Sequence, residues 1–174
     1  MFSWPEVGRL VFHGDGPRVK TRDEGFGAHY IARSLWLGAA GQNLMGDYIY
    51  PGILSSVALL VYYFTLFKAG MARGKYKVPA PSHEGPEDYV RRVRVHQNTL
   101  EHLALFLPGL WLFSFAVDPL WAAGIGVLWP IGRLGYAYGY YQAPEKRSLG
   151  LYISMPPIYI FVLGSLIGFV LKAL

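Results

Sequence analysis

Long apolar runs alternate with short polar segments through residues 48–174 of the chain. The first run, residues 48–67, reads YIYPGILSSVALLVYYFTLF and carries no charge over 20 positions, and the last, residues 149–171, carries none over 23. A helix of about 20 residues is about 30 Å long, which matches the hydrocarbon core of a bilayer. Each of these two runs therefore predicts a membrane-spanning helix.

Two further runs predict spans that contain polar residues. Residues 103–117 are too short alone, but the helix reaches a spanning length if it begins near Pro86 and carries polar side chains into the membrane on one face. Residues 119–142 are interrupted by Arg133. The composition, 53% hydrophobic and 16% charged, agrees with a membrane protein, since soluble domains are about 25% charged. The four runs predict an all-α fold, an integral membrane four-helix bundle.

Basic residues mark one side of this bundle. Residues 70–94 and the turn at Lys146 and Arg147 are basic, whereas the connection at residues 117–119 has no basic residue. Because basic loops stay on the cytoplasmic side of a membrane, we expect both chain ends on the opposite side. The pattern predicts a multi-pass protein of the endoplasmic reticulum, of another organelle membrane or of the bacterial inner membrane.

The first 44 residues have a different composition. They are polar and turn-rich, and they include five basic residues, Arg9, Arg18, Lys20, Arg22 and Arg33. We interpret residues 1–44 as an N-terminal extension of unknown role that precedes a transmembrane domain at residues 45–174. In a larger membrane complex this extension would be the docking element.

The chain contains no cysteine, which excludes disulfides, cysteine-ligated metal or haem, and any reaction that uses a protein thiol. Any thiol chemistry must therefore come from a bound ligand. The net charge is +5, and the basic residues cluster beside apolar segments rather than on one face. This distribution favours anionic lipid headgroups or an anionic ligand over nucleic acid as the binding partner. His96 and His102 are six residues apart on different helix faces, so we expect no metal site.

Four polar residues of the second predicted span form one stripe. Arg91, Arg94, Asn98 and Glu101 are separated by three, four and three positions, which places them on one helix face. A glutamate at the edge of the hydrocarbon costs about 2.5 to 3.5 kcal/mol unless it is paired. The stripe is either an ion-pair ladder within the helix or one wall of a binding site in which Glu101 meets an arginine or a ligand ammonium.

A second polar face lies on the third predicted span. Arg133, Tyr136 and Tyr140 are separated by three and four positions, and Arg147 follows at the membrane boundary. Tyrosines near membrane ends commonly form an interfacial aromatic belt. Together with the stripe, however, these side chains are the groups that hold a small zwitterionic peptide with several carboxylates, because arginine clamps carboxylates, glutamate binds an amine and tyrosine is a neutral donor.

Three motifs resemble those of a known family. They are RVHQNTLE at residues 94–101, GRLGYAYGYY at residues 132–141 and KRS at residues 146–148. This set resembles the MAPEG family, the membrane-associated proteins in eicosanoid and glutathione metabolism, and is most similar to its type-three microsomal glutathione transferases, with ARGKYKV at residues 72–78 also fitting. The resemblance covers about residues 46–174 and leaves out the first 45.

The resemblance implies a homotrimer of four-helix subunits, with glutathione as co-substrate bound between neighbouring subunits and no metal. Carried over by position, the glutathione-binding residues would be Arg73, Arg94, Asn98, Glu101, Tyr136 and Tyr140. Arg147 would be the catalytic arginine that activates the thiol. The chain departs from its relatives directly after Glu101, because His102 stands where an aromatic residue is common and the proline is delayed to Pro108.

The leading function is a membrane glutathione transferase or glutathione-dependent peroxidase, which conjugates glutathione to lipophilic electrophiles or reduces lipid hydroperoxides. Two alternatives come from other classes. The first alternative is a non-enzymatic lipid-binding member of the family. The second is an accessory subunit of a larger membrane complex that docks through residues 1–44.

Overall fold

The computed structural model describes residues 11–13, 16–18 and 46–174 of the chain. The chain divides into two compact units, residues 1–47 and 48–174, and each is described by itself. In the first unit, β1 (Val11–His13) pairs antiparallel with β2 (Gly16–Arg18). Most of the predicted extension, and with it the proposed docking element, lies outside the described residues.

The second unit is entirely helical in its regular structure, as the apolar runs predict. Its elements in chain order are α1 (Ile49–Lys75), α2 (Glu87–Ala116), α3 (Pro119–Gly126), α4 (Leu128–Gln142), a short 3-10 helix (Pro144–Arg147) and α5 (Ser148–Ala173). The predicted all-α membrane fold is confirmed.

Within the part of the chain that the structure describes, three helical segments are long and apolar enough to cross a membrane. They contain 27, 30 and 30 residues and cover Ile49–Lys75, Glu87–Ala116 and Pro144–Ala173. Large apolar side chains on their outer faces are exposed, including Leu60 at 67% and Leu163 at 58%. Because water would disfavour so much exposed apolar surface, the outer faces belong in lipid or against a partner, and the chain is an integral membrane protein.

The third predicted span, residues 119–142, is two helices rather than one. Asp118 starts α3, because its Oδ1 accepts the backbone N–H groups of Leu120 and Trp121 at 2.8 Å each. The hydrogen-bond ladder is interrupted near Val127, which itself keeps helical angles of φ −57° and ψ −28°. Pro130 explains the interruption, since its nitrogen has no hydrogen to donate to the carbonyl one turn earlier.

Aromatic rings fill the interior of the bundle. Phe106 of α2 stacks on Trp129 of α4 with ring centroids 4.5 Å apart, and Phe161 of α5 lies 6.0 Å from Phe106. All three side chains are buried. The aromatic core therefore joins α2 and α4, which carry the polar residues Arg94 and Arg133, to α5.

Glycines bring α4 and α5 into direct backbone contact. A Cβ at Gly150 of α5 would fall on the backbone of Tyr136 and Gly132 in α4, so only glycine fits at this crossing. In the same way, a Cβ at Gly139 would fall on the carbonyl of Lys146. The missing side chain at Gly139 allows the 3-10 helix to fold back against α4, which determines where Arg147 lies.

Replacing Gly150 with alanine is expected to destabilise the protein by about 1 to 3 kcal/mol or more, because a methyl group would push α5 off α4. Gly70 is a matched control, since it also lies inside a helix and has nothing within 4 Å of an added Cβ. Gly70→Ala should be neutral or stabilising by up to about 1 kcal/mol. Thermal unfolding in detergent measures both, and equal effects would contradict the close contact.

Candidate functional site

A small polar cavity opens between α2, α4 and the 3-10 helix. Its volume is about 220 Å³. It is lined by Arg94, Gln97, Asn98, Glu101, Tyr136, Tyr140 and Arg147. The structure thus brings together six of the seven predicted site residues, from α2 and from α4 with the 3-10 helix that follows it.

The wall from α2 is one polar helix face. Arg94 and Glu101 are exposed, and Asn98 donates from its Nδ2 to the Oε2 of Glu101 at 3.2 Å. Gln97 belongs to the same wall, and its Nε2 lies 3.2 Å from the Nδ1 of His83 in the preceding loop. The sequence analysis missed Gln97, although its spacing of three from Arg94 and four from Glu101 places it on this face.

The opposite wall comes from α4 and the 3-10 helix. The rings of Tyr136 and Tyr140 are 5.7 Å apart between centroids and inclined by 59°. The guanidinium carbon of Arg147 lies 5.0 Å from the centre of the Tyr140 ring, close enough for a cation–π interaction. Tyr136 is buried, with only 4% of its surface exposed. These tyrosines therefore face a cavity, and an interfacial aromatic belt does not describe them.

Arg133 lies beneath the cavity and does not line it. It has 0% exposure, and its Nη2 donates to the Oδ1 of Asn98 at 3.1 Å and to the Oγ1 of Thr99 at 2.8 Å. Its guanidinium carbon is 4.2 Å from the centre of the Tyr136 ring. Arg133 thus contacts residues of both walls from the interior of the bundle.

The ion-pair ladder exists, but only at the start of α2. Arg91 pairs with Glu87 at 3.3 Å, and Arg92 binds both oxygens of Asp88 at 3.1 and 3.2 Å. Glu101 forms no ion pair within 4 Å among residues 46–174. The ladder interpretation therefore does not extend to Glu101, whose partner in the described structure is the amide of Asn98.

Arg73, the seventh predicted residue, lies outside the cavity. Its Nη1 donates to the carbonyl of Pro79 at 3.3 Å, and its guanidinium carbon lies 5.6 Å from the Tyr89 ring centre. His96 and His102 do not line the cavity either, and His96 lies against the Tyr62 ring instead. The side chain at the position of the departure, His102, therefore forms no part of the cavity walls.

The cavity carries exposed charges of both signs. Arg94 and Arg147 provide two guanidinium groups, and Glu101 provides a carboxylate. All three are exposed. Amides and phenols between them supply neutral donors and acceptors. Such a set is complementary in charge to a small molecule that carries both carboxylates and an ammonium group.

Comparison with known proteins gives a consistent result. The model of the MAPEG family matches residues 52–167. A protein of Synechocystis described as uncharacterised is 43% identical over 122 residues, covering 70% of this chain and 89% of that protein. Microsomal glutathione S-transferase 2 of the mouse is 35% identical, covering 59% of this chain and 72% of that protein, and the human protein of the same name is 32% identical, covering 61% and 71%.

Replacing Glu101 with glutamine should leave the stability of the ligand-free protein within about 0.5 kcal/mol of the wild type, because no ion pair is lost. Asp88→Asn is the matched carboxylate control. It removes the pair with Arg92 and weakens the hydrogen bond that Tyr76 donates at 2.8 Å, so we expect a loss of about 1 kcal/mol. Thermal unfolding in detergent compares the two variants. A larger loss for Glu101→Gln would restore the ladder interpretation.

Proposed function

The chain belongs to the MAPEG family, and on that premise we propose that it is a membrane enzyme that binds glutathione and activates its thiol. The predicted family is confirmed by the family model, while the mouse and human relatives carry the type-two name and the motifs predict the type-three transferases. The observation that carries the proposal is the cavity, since it gathers Arg94, Asn98 and Glu101 with Tyr136, Tyr140 and Arg147.

The charges of the cavity are complementary to glutathione. This tripeptide carries two carboxylates, one ammonium group and one thiol. In the proposed complex Arg94 binds a carboxylate, Glu101 binds the ammonium group, and Asn98 donates from its amide. Tyr136 and Tyr140 are neutral donors. In a trimer, the remaining predicted contact, Arg73, would have to reach the cavity of a neighbouring subunit.

We assign thiol activation to Arg147. A thiol with a pKa of about 8.5 is mostly protonated at neutral pH, and lowering this pKa by two units requires about 2.7 kcal/mol of preferential stabilisation of the thiolate. Arg147 is exposed in the single chain, so it would supply this energy once the bound ligand and a neighbouring subunit exclude water, because a lower dielectric strengthens its attraction for the thiolate. The chain has no cysteine of its own, so the reacting sulfur is the ligand's.

The same thiolate starts two reactions. Attack on an electrophilic carbon forms a C–S bond, and the leaving group or the opened ring takes the electron pair and then a proton. Attack on the outer oxygen of a hydroperoxide forms an S–O bond and breaks the O–O bond, and the departing alkoxide takes a proton and leaves as an alcohol. A second glutathione then displaces the sulfur-bound oxygen as water and forms oxidised glutathione. In both reactions the lipophilic substrate arrives from the bilayer.

The most direct test is a glutathione transfer assay and a cumene hydroperoxide assay on the purified protein in detergent, together with glutathione binding by calorimetry. Turnover in either assay supports the enzyme. Binding without turnover would favour a non-enzymatic lipid-binding member or an accessory subunit that docks through residues 1–44. Absence of binding would overturn the proposal.

Arg147→Ala is expected to lower kcat about 100-fold, because a donor that stabilises a developing charge is lost. Glutathione affinity should change less than about threefold, since Arg147 is proposed to favour the thiolate rather than anchor the peptide. The ultraviolet thiolate absorbance on glutathione binding should disappear. The thiol pKa should rise toward about 8.5, so activity should partly recover at alkaline pH.

Lys146→Ala is the matched control for Arg147, because Lys146 is the neighbouring cation on the 3-10 helix and bonds Gln142 at 3.1 Å outside the cavity. It should retain the absorbance change and the turnover. If Arg147→Ala also retains both, Arg147 is only a headgroup contact, and thiol activation must be reassigned to Tyr140 or Arg94.

We expect a trimer. The exposed Arg94 and Glu101 lie on a helix that spans the membrane, and one subunit does not cover them. A neighbouring subunit would shield both charges from lipid, where they are costly. The detergent-corrected mass should be about three times 19.5 kDa. A stable monomer that turns over glutathione would contradict this prediction.

A further inference from the structure

Arg133 is a charged side chain that the fold buries completely, with 0% exposure. Removing a guanidinium from water costs several kcal/mol unless it is paired. Among residues 46–174, however, no carboxylate lies within 4 Å of Arg133. Its Nε and Nη1 also have no hydrogen-bond partner there. A residue placed at such cost, directly beneath a cavity, needs an explanation beyond packing.

The contacts of Arg133 converge on the cavity. Its Nη2 donates to the Oδ1 of Asn98 at 3.1 Å, and its guanidinium carbon lies 4.2 Å from the centre of the Tyr136 ring. Asn98 and Tyr136 both line the cavity, from opposite walls. The third contact, with Thr99 at 2.8 Å, fixes the guanidinium against α2.

The contact with Asn98 determines which way its amide faces. A guanidinium has five donors and no acceptor, so it can meet only the oxygen of the Asn98 amide and never its nitrogen. The Nδ2 is thereby turned to Glu101, with its hydrogen bond of 3.2 Å to Oε2. Because an amide nitrogen carries two hydrogens, one remains for a ligand. The chain from Arg133 through Asn98 to Glu101 fixes donor and acceptor positions in the wall.

We propose that Arg133 is a positioning residue for ligand binding, which acts through Asn98 by holding its amide nitrogen and the Glu101 carboxylate toward the cavity. This inference rests on the proposed function, in which glutathione is the ligand. Arg133 and Arg147 then have separate tasks. Arg133 organises the wall that binds the peptide, and Arg147 acts on the sulfur.

A double-mutant cycle tests this relay. The probe is glutathione, and its Kd is measured by calorimetry for the wild type, Arg133→Gln, Asn98→Ala and the double variant in detergent. Arg133→Gln should raise the Kd about tenfold, since it loosens one charge-assisted hydrogen bond and the amide that it orients. In the Asn98→Ala background the same change should raise the Kd less than about twofold, because the relay is already broken.

Two further measurements separate positioning from other roles. The pKa of the bound thiol, taken from the pH dependence of the thiolate absorbance, should stay unchanged in Arg133→Gln, whereas it rises in Arg147→Ala. Arg91→Gln is the matched control, because the same substitution there removes an arginine that pairs with Glu87 outside the cavity. Its Kd should match that of the wild type.

Should Arg133→Gln fail to fold, Thr99→Val carries the same test. It removes one anchor of the guanidinium and leaves the charge in place. We expect it to raise the Kd about threefold in the wild type and not at all in the Asn98→Ala background.

Equal fold-changes in both backgrounds would overturn the relay and leave Arg133 as a structural residue. A raised thiol pKa in Arg133→Gln would overturn it in favour of direct thiolate stabilisation. A wild-type protein that does not bind glutathione would overturn both this inference and the proposed function, whereas binding with an additive cycle overturns the inference alone.

Discussion

A charged group inside a hydrocarbon layer must face other polar groups, and this constraint organises the second unit of the protein. The polar face of α2 that carries Arg94, Asn98 and Glu101 is turned toward the face of α4 that carries Tyr136 and Tyr140. Arg133 lies fully buried between them and bonds side chains of α2. At the cavity this internal polar surface reaches the outside of the second unit.

The packing that supports this arrangement depends on glycine. Because Gly132 and Gly150 carry no side chain, α4 and α5 touch at the backbone, at the level of Arg133 and Tyr136. Gly139 of α4 acts in the same way toward the 3-10 helix, because its missing side chain leaves room for the Lys146 carbonyl. This contact places Arg147 over the Tyr140 ring. Residues that do not line the cavity therefore determine the positions of those that do.

Because the chain has no cysteine, the proposed chemistry is divided between ligand and protein. The reactive sulfur enters with the ligand, and the protein supplies charges and dipoles. The groups proposed to bind the peptide lie on α2 and α4, and the cation assigned to the thiol lies on the 3-10 helix. Since these groups are different residues on different elements, the proposed binding and thiol activation are separable by substitution.

The sequence by itself determined the helices and the sharing of faces. Uncharged runs of about 20 residues can satisfy their backbone in lipid only as helices, and spacings of three and four put Arg94, Asn98 and Glu101 on one face. Only the tertiary structure decided which faces meet. It included Gln97, left Arg73 outside, placed Arg133 beneath the cavity rather than in its wall, and divided the third predicted span near Val127. These outcomes depend on the rotation of each helix about its axis, and close packing between helices sets this rotation.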